Sequence, residues 1–364
     1  MTIRRLHIVA WRDLDDPGAG GSEIHINELA RRWAAGGLDV TLRTGAVQGA
    51  PSDLRRDGYR VVRRGGPYTG FVRAPGSELL RLQGPSDALV EVWHGVSFLA
   101  PLWFRGPRVG IAHHVHAEQF QFVLPRPAAR LAEVLERDVY PRLYRNTPLV
   151  TLSDSNRDEL VALGYPAANM HVIPPGLDER FTPGGTKADS PTVLVVGRLM
   201  PQKRVEVVAE ALAPLRATYP DLELLVIGDG PDRARIEPLL PGWVRLMGWV
   251  DHAGLLDAYR TAWVASSASI AEGWNMTLTE AGACGTPAVA TRIPGHTDAV
   301  ADGVTGILAD DVAGLTSAFA QLLGDAALRA RFGAAAAEHA HRFTWDGGAA
   351  AFLDLLERQV IAAP

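Results

Sequence analysis

Short apolar runs of strand length alternate with helix-length segments along this chain, and the alternation happens twice. In the first pass residues 6–11, 39–43, 108–112 and 148–152 read as strands and residues 22–35 as a helix. In the second, residues 192–196, 222–227, 244–247, 263–266 and 288–290 read as strands with helical segments between them. Strands that alternate with helices imply doubly wound parallel sheets, so the expected fold class is α/β with two Rossmann-like domains. Between the passes, residues 174–191 form a run of Pro, Gly and polar residues that reads as a linker. The expected organisation is a first domain over residues 1–175, a linker over 176–191, a second domain over 192–345 and a C-terminal amphipathic helix over 346–364.

Size agrees with that division, since 364 residues are long for one core and comfortable for two. A net charge of -5 argues against a nucleic-acid binder. Cys284 is the only cysteine, which excludes an internal disulfide and a cysteine-based zinc site. The apolar run at residues 6–11 is too short for a signal peptide, and no other run reaches membrane-spanning length, so a cytoplasmic protein is expected. Residues 53–81 hold seven arginines against three acids, with Tyr68 and Phe71 among them. Such an excess reads either as a solvated face or as a peripheral contact with anionic membrane.

The chemistry concentrates after strand ends. Glu272 and Glu280 stand eight residues apart, Glu272 in a turn and Glu280 in the second turn of a helix expected over residues 275–284. A phosphate at that helix start would meet unpartnered amides and the positive end of the helix dipole, with one carboxylate toward each end of the ligand. Arg198 and Lys203, five residues apart, follow the strand at residues 192–196. Two cations there suit a reaction that leaves negative charge on a diphosphate.

Gly18, Gly20 and Gly21 lie between the first strand and first helix, followed by Glu23 and His25. A dinucleotide fingerprint fails here, because Glu23 occupies the third glycine position and the second strand ends in Arg43 rather than an acid. His113, His114 and His116 follow the strand at residues 108–112, where a zinc site is the competing reading; alternate residues point opposite ways, and no Cys or acid sits at ligand spacing. Asp13 and Asp15 have the D-x-D spacing of a metal-nucleotide motif and read as turn residues.

The two glutamates resemble the E-x7-E signature of retaining GT-B glycosyltransferases, above all family 4. The Gly20-Gly21-Ser22-Glu23-Ile24-His25 stretch is similar to that family's glycine loop, and Arg198 with Lys203 to its phosphate clamp. The resemblance implies a GT-B fold, with a C-terminal nucleotide-sugar domain, an N-terminal acceptor domain and a C-terminal helix that crosses back to the first domain. It implies a donor site of Gly20, Gly21, Arg198, Lys203, Gly248, Trp249, Glu272, Gly273, Trp274, Asn275, Met276, Thr277 and Glu280. Arg198, Lys203 and Glu272 would act on the reacting centre together with His113, His114 being one residue away as the other candidate.

It also implies sugar transfer from a nucleoside diphosphate to an acceptor hydroxyl with retention, no metal and no cofactor. The acceptor, whether glycan, lipid-linked or small molecule, the sugar, the base and the oligomeric state stay open. A non-catalytic nucleotide-sugar-binding protein and a GT-B epimerase are the alternatives. A phosphorylase would need a pyridoxal lysine, and lysine occurs only at Lys187 and Lys203.

Overall fold

A computed structural model describes residues 3–66, 69–116 and 120–362. The chain forms two compact units, one of residues 1–176 with 345–364 and one of residues 177–344. In the first unit, eight strands run in the order β3-β4-β2-β1-β5-β6-β7-β8. They are β1 (Arg5–Val9), β2 (Asp39–Thr44), β3 (Asp53–Arg56), β4 (Tyr59–Arg63), β5 (Ala88–Val92), β6 (Arg108–Ile111), β7 (Leu149–Thr151) and β8 (Met170–Val172). All neighbours pair parallel except β3 and β4. The strand order reverses direction between β1 and β5, which makes their carboxyl ends the switch point of this sheet.

The hairpin of β3 and β4 lies inside the arginine-rich segment, and its two-residue loop explains why it forms. Arg56 pairs with Tyr59 around Asp57 and Gly58, both with positive φ, as a type I′ turn requires. Three of its four arginines are paired with carboxylates. Arg56 and Arg63 both bind Asp13 and Asp15, and Arg60 binds Asp53. Asp13 is fully buried under this pair of guanidiniums; burial pushes its carboxyl up, but the hydrogen bonds from Arg56 and Arg63 outweigh that and hold it below the usual range. Asp13 thus anchors an ion network inside this part of the segment, with an Asx turn in which Asp15 N–H donates to Asp13 Oδ1 at 2.8 Å, while Arg55, Arg64, Arg73 and Arg81 are exposed. Phe71 is half-buried among Phe98 and Trp103, and Tyr68 lies outside the described residues.

The second unit is a six-stranded parallel sheet in the order β11-β10-β9-β12-β13-β14. Its strands are β9 (Thr192–Val196), β10 (Glu223–Ile227), β11 (Val244–Gly248), β12 (Val264–Ser267), β13 (Ala288–Thr291) and β14 (Gly306–Ala309). The first three run outward on one side, and β12 returns to the other side of β9. The switch point therefore falls between β9 and β12, the strands that precede Arg198 and Glu272. Inner strands buried on both faces account for the unbroken apolar runs, such as Val193, Leu194 and Val195 in β9.

Residues 177–191 are not a free tether. Leu177 and Phe181 are core residues of the second unit. Lys187 Nζ donates to the Ala262 carbonyl at 2.8 Å and to Thr286 Oγ1 at 2.6 Å, while Trp263 Nε1 donates to the Ala188 carbonyl at 2.7 Å. Polar composition made this segment read as a linker, whereas its backbone carbonyls and one lysine tie it down.

The helix Trp345–Ala362 belongs to the first unit. Phe352, fully buried, meets the edge of Trp33 from the helix Gly21–Ala35, and Trp33 Nε1 donates to the Ala349 carbonyl at 2.9 Å. Phe352→Ala is expected to destabilise the first unit by about 3–5 kcal/mol, the usual result of emptying a buried aromatic site. Urea unfolding followed by tryptophan fluorescence checks this, and a loss below about 1 kcal/mol would show that the terminal helix is not part of that core.

Candidate functional site

The strand β12 ends at Ser267, and the chain turns through Glu272 into the helix Met276–Ala283. Asn275 caps that helix, its side-chain oxygen accepting from the Leu278 N–H. The amides ahead of Leu278 have no intrahelical acceptor, as in every helix start. Glu272 sits just outside this end. Its Oε1 accepts from Lys203 Nζ at 2.5 Å and from Ser269 Oγ at 2.7 Å. Burial pushes the carboxyl up, but the Lys203 charge with those hydrogen bonds outweighs it, and Glu272 stays an anion held below the ordinary range.

The other strand of the switch point supplies the cations. Arg198 follows β9 directly and is partly exposed, and Lys203 ends the turn Pro201–Lys203. This turn is laced to the Glu272 loop. Ile270 N–H donates to the Gln202 carbonyl at 3.0 Å, and Arg204, whose backbone is left-handed with φ 45°, donates from Nε to the Ala268 carbonyl at 2.8 Å. Neighbouring loops approach so closely that side chains are excluded. A Cβ at Gly228 would stand 2.1 Å from the Gly197 carbonyl oxygen, and one at Gly230 2.2 Å from that of Leu199.

Glu280 lies on the second turn of the helix, where Tyr259 OH donates to its Oε2 at 2.7 Å. Burial raises this carboxyl to about 7 despite that bond, so the two glutamates of one motif differ in charge near neutrality. Met276 and Thr277 are partly exposed on the first turn, and Gly273 is buried at the turn before it. Trp274 turns inward: its ring packs edge-on against Phe343, and Nε1 donates to Thr279 Oγ1 at 2.9 Å, which leaves its backbone, not its indole, at the helix start. Gly248 has φ 67° and its carbonyl accepts from Gly228 N–H at 2.8 Å, while the neighbouring Trp249 is exposed.

Arg198, Lys203, Glu272, Gly273, Asn275, Met276, Thr277 and Glu280 thus converge around the carboxyl ends of β9 and β12. His296 is a buried member of the same neighbourhood that the sequence reading passed over. No local pattern marks it, because its partners Thr291 and Asn275 come together only in the fold.

In the first unit, Gly20 caps the helix Gly21–Ala35 with extended backbone, and Glu23 Oε2 accepts from the Gly20 N–H at 2.8 Å, the N3 half of a capping box. Glu23 therefore replaces a fingerprint glycine with a side chain that satisfies the N-cap amide. His113 is buried, with Nε2 3.3 Å from His25 Nδ1, and its ring also makes a backbone hydrogen bond to Trp93. Burial, only partly offset by that bond, lowers His113 to about 4, so the imidazole is neutral. His114 is the more exposed neighbour and stacks on His116 with centroids 4.2 Å apart. Trp11 and His94, after β1 and β5, pack with centroids 4.3 Å apart at the switch point of this sheet, a pairing across strands that sequence order hides. Among the described residues, no group of three or more His, Cys, Asp or Glu is placed to hold a metal ion. Nor is any described helix long and apolar enough to cross a membrane.

Comparison with known proteins agrees with this arrangement. Residues 190–325 match the family model for glycosyl transferases group 1, and residues 20–176 the model for a glycosyl transferase 4-like domain. The D-inositol 3-phosphate glycosyltransferase 2 of Catenulispora acidiphila is 33% identical over 95% of this chain and 92% of its own length. The D-inositol 3-phosphate glycosyltransferase of Kribbella flavida is 32% identical over 94% and 93%. Among solved structures, sucrose-phosphate synthase from Thermosynechococcus elongatus superposes with a TM-score of 0.84 at 21% identity, covering 99% of this chain and 100% of that one. Anabaena HepE, solved in complex with UDP and glucose, gives 0.74 at 16% identity over 98% and 100%. Those two likenesses establish the GT-B fold of paired parallel-sheet units. By sequence over nearly its whole length, the chain belongs to the family 4, group 1 glycosyltransferases and is a sugar-transferring enzyme.

Proposed function

We propose that this enzyme moves a sugar from a nucleoside-diphosphate donor to an acceptor hydroxyl with retention of anomeric configuration, and that the second unit holds the donor. The observation that carries the reading is the Lys203–Glu272 pair, set before a helix N-terminus at the sheet's switch point. A diphosphate placed there meets first-turn amides and the Arg198 and Lys203 charges, while Glu272 remains ionised to accept from sugar hydroxyls. Glu280, one turn further on, reaches the ribose. Breaking the anomeric C–O bond leaves about two negative charges on the diphosphate, and the fixed cations stabilise that charge as it develops.

In the front-face course the departing phosphate takes the acceptor proton, so neither glutamate acts as nucleophile and no metal takes part. His113, buried and neutral with its Nε2 at His25, is the first unit's candidate positioning group, the role that the family resemblance gives it. Solved HepE carries UDP, which supports a nucleotide donor and UDP as the first probe. The curated relatives are named for D-inositol 3-phosphate, which favours a small phosphorylated polyol as acceptor over a membrane lipid. The internal pairing of Arg56 and Arg63 with Asp13 points the same way, since it removes two charges from any membrane-docking face.

Calorimetry with UDP alone, read beside transfer rates, tests the division of labour between the glutamates. Glu280→Ala is expected to weaken UDP binding about tenfold or more, through lost hydrogen bonds to a charged acceptor. Glu272→Ala is expected to leave that binding within about threefold but to lower turnover about 10²- to 10³-fold, the usual cost of one preorganised polar group. The opposite order rejects the roles.

A proton count gives a second check. Glu280 titrates at about 7, so at pH 6.5 it is largely protonated, and ribose hydroxyls that donate to its carboxylate pull the titration downward. Binding UDP at pH 6.5 is therefore expected to release protons, seen as a dependence of the binding heat on buffer ionisation, and Glu280→Gln is expected to reduce the release to the share that comes from UDP's own terminal phosphate, which loses its last proton at about pH 6. Proton uptake, or a release that Glu280→Gln leaves unchanged, contradicts the assignment.

A further inference from the structure

His296 opens the short helix His296–Ala299 after β13 and is fully buried. Its Nδ1 lies 2.8 Å from the Thr291 carbonyl oxygen, an atom that can only accept, so Nδ1 carries the proton. Its Nε2 lies 2.9 Å from Asn275 Nδ2. The Asn275 amide is fixed by its other end, where Oδ1 accepts from Leu278 N–H at 3.3 Å and from Thr277 Oγ1 at 2.8 Å. The NH2 must then face His296 and donate, which makes Nε2 an acceptor and the imidazole neutral. The chain of bonds continues to the Glu272 loop, since Thr291 Oγ1 donates to the Ser269 carbonyl at 2.9 Å. Gly295, with φ 81°, keeps the approach open: a Cβ there would stand 2.6 Å from the Glu272 carbonyl oxygen.

We propose that His296 is a positioning residue for donor binding, which locks Asn275 as the cap of the helix Met276–Ala283 and thereby holds that helix's first turn ready for the diphosphate. This rests on the reading that the first turn binds the donor. His296 touches no substrate and acts through Asn275.

The geometry sets the sign of a pH effect. A second ring proton would point Nε2–H at the Asn275 NH2, donor against donor, and the amide could escape only by abandoning Leu278 and Thr277. The charged groups facing the ring are Glu272, which favours the imidazolium, and Lys203, which opposes it; burial, the largest influence, opposes it too and holds the group below its ordinary value. The cap is therefore intact at neutral pH and is lost only on acidification below the ordinary histidine range.

The test measures UDP affinity and donor-hydrolysis KM and kcat from pH 5 to 8 in wild type, His296→Ala, His296→Gln, Asn275→Ala and the double variant His296→Ala/Asn275→Ala. His296→Ala is expected to raise Kd and KM about fivefold to tenfold, the scale of a lost helix cap, with a smaller change in kcat. His296→Gln, whose amide can accept from Asn275 and donate to Thr291, is expected to recover affinity to within about threefold and, in a Glu280→Gln background that removes the other titrating group, to flatten the acid limb of the KM for a UDP-sugar, whose diphosphate has no proton to lose in this range. The double variant is expected to bind no more weakly than Asn275→Ala alone. Wild-type affinity in His296→Ala, an unchanged acid limb in His296→Gln, or additive losses in the double variant overturns the proposal; should His296→Ala fail to fold, the His296→Gln pH profile decides it alone. If wild type binds no nucleoside diphosphate at all, the donor reading fails and this proposal with it. If wild type binds and only the coupling is absent, the donor reading stands and His296 is merely structural.

Discussion

A carboxylate cannot be taken out of water without compensation, and in the second unit Glu272 is compensated by Lys203. The rest of the site is arranged around that pair. It spans the switch point, joining the loop after β9 to the loop after β12, and the bonds from Ile270 to Gln202 and from Arg204 to Ala268 hold the two loops at the distance it needs. Close packing of the adjoining turns leaves room only for glycine at positions 228, 230 and 295. A cation and an anion are thus in register before any ligand arrives, which is the condition for electrostatic stabilisation without reorganisation.

The same segment shows how environment divides labour between identical side chains. Glu272 has the Lys203 cation and the Ser269 hydroxyl, while Glu280 has one phenol and a buried setting. One side chain type thus supplies a permanent anion and a group that titrates near neutrality.

Much of the fold could be read from the chain. Runs such as residues 192–196 and 222–227 are apolar throughout because both faces of a parallel strand are covered, and each marks its strand within a residue or two. Asp57-Gly58 carried the hairpin signal as well, but the arginines around it drew attention to charge instead of to the turn. The segment over residues 177–191 looked like a linker because composition reports polarity, whereas what binds it is backbone carbonyls meeting Lys187 and Trp263 from elsewhere in the fold. The candidate site was legible where a motif states a spacing, as with Glu272 and Glu280. It was illegible where a role depends on a tertiary partner: Arg204 braces a neighbouring loop, His25 faces His113 from 88 positions away, and His296 fixes Asn275. Trp274 illustrates the same limit from the other side, being placed by its motif in the donor site while its ring packs against Phe343.

The central claim, that the second unit's switch point receives the nucleoside diphosphate, is tested most directly by hydrogen–deuterium exchange of the intact protein with and without saturating UDP. Backbone amides that take phosphate or nucleotide contacts slow their exchange on binding. The account predicts protection in peptides covering residues 197–204 and 272–280. Protection confined to the first unit, or none in those two segments at a UDP concentration that calorimetry shows to be saturating, would contradict it.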